Sequence, residues 1–142
     1  MELVEQPWPA YVDDHRTTLA APPEVAWPQL RAYVDEWLAR TARSPLTRLL
    51  GTEPRSGFEV TRADEPRRLT LAGRHRFARY VLDVRLVGAG DGTTTASAAT
   101  YADFPGPHGL VYRTLVIRTR FHVLATRGLL RGLRDRVTAA VP

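Results

Sequence analysis

Apolar residues recur at two different periods along this chain of 142 residues. Residues 14–20, "DHRTTLA", alternate weakly and predict a short strand. In residues 21–40, "APPEVAWPQLRAYVDEWLAR", Trp27, Leu30, Val34, Trp37 and Leu38 return at helical spacing and mark one apolar face. Prolines stand where this helix would start, a position at which a missing N–H costs little. Residues 44–51, "SPLTRLLG", predict a second, short helix, with Ser44 as N-cap, Pro45 at the first helical position and Gly51 just past the end.

The period then falls to two. "GFEVTR" and "RRLTLAG" predict short strands joined by the turn residues "ADEP". "FARYVLDVRL" and "TTTASAATYADF" follow around the loop "VGAGDG", and a hairpin is the simplest connection. Pairing symmetric about that loop sets Leu82 opposite Ala98, Val84 opposite Ala96, Tyr80 opposite Thr100, and Arg76 opposite Phe104. One face is then apolar, with long residues on one strand against small ones on its partner. Arg79, Asp83 and Arg85 fall on the other face, expected to be solvated.

"FPGPHGL" breaks the sheet, and Pro107 can open a long helix to about residue 139. On a helical wheel Arg113, Arg120, Arg127 and Arg134 share one side with Arg131. Val111, Leu115, Ala125, Leu129 and Leu133 lie opposite, with Arg118 and His122 in their midst and one turn apart. An inward arginine is costly unless it is paired or faces a cavity, and His122 fits a polar pocket as hydrogen-bond partner or proton carrier. Gly128 and Gly132 form a small-residue patch, for which close approach to the sheet is the simplest compensation.

Composition narrows the class. Hydrophobic residues make up 44% and charged ones 25%, as in an ordinary globular domain. One domain over residues 1–142 is expected, with its ordered core at about 11–139. Cysteine is absent, which excludes disulfides and thiolate metal sites. "MELVEQPWPA" has no signal-peptide pattern and no stretch approaches a bilayer span, so a cytoplasmic location is the default expectation. The net charge of +5 suggests an anionic partner, but all 20 basic residues are Arg, and Lys and Asn are missing. Coding bias therefore accounts for part of the charge.

The order of elements resembles the α+β helix-grip fold of the START, Bet v 1 and polyketide-cyclase-like (SRPBCC) superfamily. "LAAPPEVAWPQL", "LTLAGRHRFARYVLDVRL" and "TYADFPGPHGLVYRTLVIRTRFH" carry the resemblance, and the last two are similar to an actinobacterial group of unknown function. The resemblance implies a curved antiparallel sheet of about five to seven strands on a long C-terminal helix, with two shorter helices after the first strand. It also implies a cavity for a small apolar molecule between sheet and helix. That cavity would draw on Trp37, Tyr80, Leu82, Ala98, Thr100, Leu115, Arg118 and His122, with Arg76 and Phe104 at its mouth. The superfamily holds transporters, cyclases, hydrolases and proteins without known activity, so the fold does not choose among them.

Three function classes follow. The first is binding of a small, largely apolar molecule with no cofactor. The second is a cyclase or dehydratase on the same scaffold, with His122 as general acid or base and Arg118 stabilising an enolate. The third is a basic surface module that docks the arginine stripe on anionic membrane or nucleic acid. Nucleic acid is disfavoured, because no recognition motif is present and few aromatics interleave with the arginines. "GAGDG" precedes a strand rather than a helix and is read as a hairpin loop, not a phosphate cradle. The four histidines lack ligand spacing, so no metal is expected. "GRHRFAR" reads as an exposed connection or a basic rim, and His75 is expected on the face opposite Tyr80. Asp13–Asp14 and Asp35–Glu36 look like solvated ends. Both a monomer and a homodimer are compatible with the sequence.

Overall fold

A computed structural model describes residues 8–54, 56–76, 78–104, 106–107, 110–111 and 121–141, with the side chains at 46, 47, 50, 121 and 122 outside the description. Strand β1 (Tyr11–Leu19) leads into helix α1 (Pro23–Ala42) and the short α2 (Pro45–Leu50). Strands β2 (Glu59–Asp64), β3 (Arg68–His75), β4 (Ala78–Gly88) and β5 (Thr94–Asp103) follow, and then helix α3 (Phe121–Ala140). Residues 106, 107, 110 and 111 are also helical.

Helix α1 starts at Pro23, after an extended Pro22, and buries Ala26, Trp27, Leu30 and Val34 along the expected stripe. Helix α2 ends at Gly51, whose φ of 66° is one that favours glycine. The five strands form one antiparallel sheet in the order β1-β5-β4-β3-β2. Leu19, Leu69, Leu71, Leu82, Val84, Leu86, Ala96 and Ala98 pack from its concave face against Trp27, Leu30 and Val34 of α1 and Leu130, Leu133 and Val137 of α3. Thr94, fully buried, ties β5 to the start of α1 by donating to the Ala21 carbonyl at 2.7 Å.

The β4–β5 register departs from the expected one by two residues. Leu82 stands opposite Thr100, Val84 opposite Ala98 and Tyr80 opposite Ala102. The loop centres on Asp91 rather than one residue earlier: Gly90 and Gly92 have positive φ, and Asp91 accepts from the Thr93 amide and hydroxyl. A two-residue shift preserves parity, so the apolar face remains the inner one. Arg76 lies in the β3–β4 turn and so is not opposite Phe104.

On the outer face Asp83 is not solvated; it is 1% exposed. Arg68 Nε and the Thr70 hydroxyl donate to its Oδ1, both at 2.9 Å, and Arg85 Nε donates to its Oδ2 at 3.0 Å. Burial pushes this carboxyl up, but the bonds from Arg68, Arg85 and Thr70 outweigh it and hold the pKa below the ordinary value. Beside it the Arg68 guanidinium stacks 5.4 Å over Trp8, which meets Tyr101 edge-on.

Helix α3 turns its buried side through Thr126, Leu130, Leu133 and Val137, about 60° around from the arc expected from the wheel. Val111, expected inward, is 62% exposed. Arg127, Arg131 and Arg134 do face outward. Glu36 of α1 is exposed, as expected, and both its oxygens accept from Arg136 of α3 at 2.7 Å. Gly132 approaches α1 rather than the sheet, since a Cβ there would stand 2.4 Å from the Tyr33 hydroxyl, whereas a Cβ at Gly128 would meet nothing within 4 Å. No helix among the described residues is long and apolar enough to cross a membrane.

Candidate functional site

At the end of the sheet nearest the β3–β4 turn, the layers between sheet and helices thin out. Thr100 and Ala102 of β5 face Ala125 and Thr126 of α3, small residues on both sides, and a cavity of about 430 Å³ remains. Tyr33 and Trp37 of α1 line it from above. The sheet contributes Ala78, Tyr80, Val81 and Leu82 of β4, and Phe58, His75, Phe104 and Leu129 complete the lining. Such a volume lies within the range of small-molecule sites.

One wall is a run of rings. Trp37 and Phe58 stand 5.2 Å apart, Phe58 and Tyr80 4.7 Å, and Tyr80 and His75 5.6 Å between centroids. The wall is latched to the loop before β2, because the Tyr80 hydroxyl donates to the Gly57 carbonyl at 2.6 Å. Glu53 extends the latch by pairing its backbone with Arg74 of β3 through two hydrogen bonds. His75 is partly buried here, and loss of hydration pushes its pKa below the usual value, favouring the neutral imidazole.

Five of the residues expected at a cavity, Trp37, Tyr80, Leu82, Thr100 and Phe104, come together in this lining. Ala98 is fully buried in the core next to it, and Arg76 is exposed in the turn beside α2. Leu115 and Arg118 lie outside the described residues, as does the side chain of His122. His75 shares the inner face with Tyr80, contrary to expectation. The turn after it separates two strands, so a single alternation cannot run through both, and pairing sets His75 opposite Ala78. Tyr33 and Phe58 are lining residues absent from the expected set. Tyr33 stands one turn before Trp37 on the same helical stripe, and Phe58 alternates with Val60, so periodicity carries both.

A second polar group on the inner face is also unexpected. Asp13 of β1 is paired with His15, Oδ2 to Nε2 at 3.2 Å, and neither is a solvated end, at 25% and 17% side-chain exposure. Asp13 neighbours Thr100 in register. A cleft of about 720 Å³ on the outer face is larger than the inner cavity. Its cations are already neutralised, however: Arg62 by Asp64, Arg74 by Glu53 and Arg79 by Asp103. The inner cavity, walled by aromatic and aliphatic side chains, is the better site for a molecule. Among the described residues no three His, Asp or Glu side chains gather as metal ligands.

No family model and no curated protein matches the sequence. Solved structures do share the architecture. A conserved protein from Geobacillus kaustophilus superposes with a TM-score of 0.52 at 12% identity, covering 89% of this chain and 95% of its own. The protein TTHA0849 from Thermus thermophilus does so with a TM-score of 0.50 at 18% identity, covering 91% and 98%. The chain has the helix-grip fold. Here the grip is a five-stranded one, within the expected range, and α1 and α3 together close the concave face. Ara h 8.0201 matches at 13% identity with a TM-score of 0.43, over 89% of this chain and 97% of its own. At these identities the likeness is one of fold alone.

Proposed function

We propose that this helix-grip protein binds a small, largely apolar molecule in the cavity between the concave face of the sheet and helices α1 and α3. The observation that carries the proposal is the cavity itself, about 430 Å³ walled by Trp37, Phe58, Tyr80, Leu82, Phe104 and Leu129. Burial of apolar ligand surface there contributes about 25 cal/mol per Å², enough for useful affinity from a ligand of modest size. The helical period assigns His122, four residues before Thr126 and seven before Leu129, to the same arc of α3. The resemblance to the helix-grip superfamily implies Leu115 and Arg118 as further members of the lining.

Native mass spectrometry of the protein isolated from its own host tests this reading. A small apolar adduct is expected, lost from a variant whose cavity is filled by Ala102→Trp. An adduct retained at full occupancy by that variant would place binding elsewhere and contradict the proposal.

A further inference from the structure

Arginine pairing divides the molecule. Each arginine in the described strands, Arg16, Arg62, Arg68, Arg74, Arg79 and Arg85, lies within 3.5 Å of a carboxylate oxygen. Coding bias spreads arginines through the chain, but on the sheet their charge is cancelled. It is not cancelled at the corner where α1, α2 and the β3–β4 turn meet. Residues 37–52 contain Arg40, Arg43 and Arg48 and no Asp or Glu. The carboxylates that bracket this stretch are already committed, Glu36 to Arg136 and Glu53 to Arg74. Arg76 reaches the same corner from the turn, since a Cβ on Gly51 at the end of α2 would stand 3.0 Å from its Nε. All four arginines are exposed, and none has an ion pair among the described residues. The C-terminal ends of α1 and α2 favour a cation each, but they do not call for four.

We propose that this corner docks the protein on an anionic lipid bilayer, with Arg40, Arg43, Arg48 and Arg76 at the headgroup phosphates and Leu49 at the acyl boundary. The unmatched charge selects an anionic partner, and Leu49 selects among such partners. It stands beside Arg48 on α2 and is 72% exposed, and a bilayer interface accepts a leucine where a nucleic-acid backbone does not. The one aromatic residue of this stretch, Trp37, is turned inward against Phe58, so no ring is offered for stacking on bases. Each cation held near an anionic surface strengthens binding about fivefold, and four suffice for reversible docking without a spanning helix. The surface lies outside the cavity, and its role does not depend on what the cavity binds.

Sedimentation with large vesicles tests the corner, pure phosphatidylcholine against an equal mixture with phosphatidylglycerol. Wild type should bind the mixture, not the neutral lipid, and should be released as salt is raised to about 0.5 M. Arg43→Glu combined with Arg48→Glu should bind at least about tenfold more weakly. Arg127→Glu combined with Arg131→Glu makes the same change in net charge on α3 and should stay within about threefold of wild type. Equal losses in the two double variants, or a larger loss from the α3 pair, would overturn the corner. Leu49→Ser should weaken binding severalfold with the salt dependence unchanged. Undiminished binding by Leu49→Ser would overturn lipid as the partner. So would failure of wild type to bind the mixture, or tighter binding to a DNA duplex at the same salt. All the substituted side chains are exposed, and thermal melts should match wild type. Where the reversed pair does not fold, Arg43→Gln with Arg48→Gln replaces it, with an expected loss of about fivefold or more.

Discussion

A Cβ on Gly73 would stand 2.0 Å from the carbonyl oxygen of Gly57. Two glycines on different segments thus let the loop before β2 lie directly on β3, and that contact aims the Gly57 carbonyl at the Tyr80 hydroxyl. The obstacle is backbone, so a side chain cannot rotate away. Gly73→Ala is expected to destabilise the protein by about 3 kcal/mol, the upper end of overpacking costs, and to loosen the ring wall. Urea denaturation checks the first effect. A Tyr80→Phe variant should lose less, about 1–2 kcal/mol, since only the hydrogen bond to a buried carbonyl goes.

The two glycines of α3 should behave oppositely. Gly128 has open space where a Cβ would go. Gly128→Ala should therefore raise stability by up to about 1 kcal/mol through helix propensity alone. Gly132→Ala gains the same propensity but drives its methyl into Tyr33, which lines the cavity. Its net stability change should fall below that of Gly128→Ala, and affinity for an apolar probe should drop as the ring is displaced. Paired thermal melts and probe titrations compare the two.

How much of this is legible in the sequence depends on whether a feature is set within one element or between elements. The stripe of Trp27, Leu30 and Val34 fixes the buried face of α1 from period alone. The inner face of the hairpin also survives, because the register error is two residues and parity is insensitive to that. Alternation misplaces His75 because a tight turn resets it between adjoining strands. Asp83 reads as solvated from β4 alone because its partners Arg68 and Thr70 come from β3, and no pattern within β4 announces them. A wheel gives Gly132 a direction but not the neighbour met there, so the sheet stands in for Tyr33. Five cavity residues are reachable through the resemblance, which implies a cavity between sheet and last helix; the small residues on β5 opposite Leu82 and Tyr80 signal by themselves either close packing or space.

Asp83 provides an acid-sensitive bond on the outer face. Asp83→Asn keeps the shape but removes the charge opposing Arg68 and Arg85, and should cost about 2–4 kcal/mol at neutral pH. The native carboxyl titrates below the ordinary 3.8. Its contribution is therefore complete above that value and lost as pH falls through the native pKa. Urea melts at pH 7 and near pH 3 should show the gap between wild type and variant narrowing in acid. A gap independent of pH would contradict the charge assignment.

His75 acts in a higher window. Its folded pKa lies below 6.5, so the unfolded chain takes up the proton first as pH falls. Stability from the neutral ring is complete above about 6.5 and declines as pH drops toward the native value. Between pH 8 and 5, wild type should lose more stability than His75→Gln. Parallel stability curves for both proteins would contradict this.

The proposed function depends on the space beneath the sheet being a binding cavity. Titration of the neutral fluorophore 1-N-phenylnaphthylamine into wild type and Ala102→Trp tests it, with melting curves confirming that both are folded. Saturable fluorescence enhancement in wild type, reduced at least about tenfold in affinity by the Trp that fills the cavity, is the predicted result. Equal binding by both proteins, or none by wild type, would contradict it.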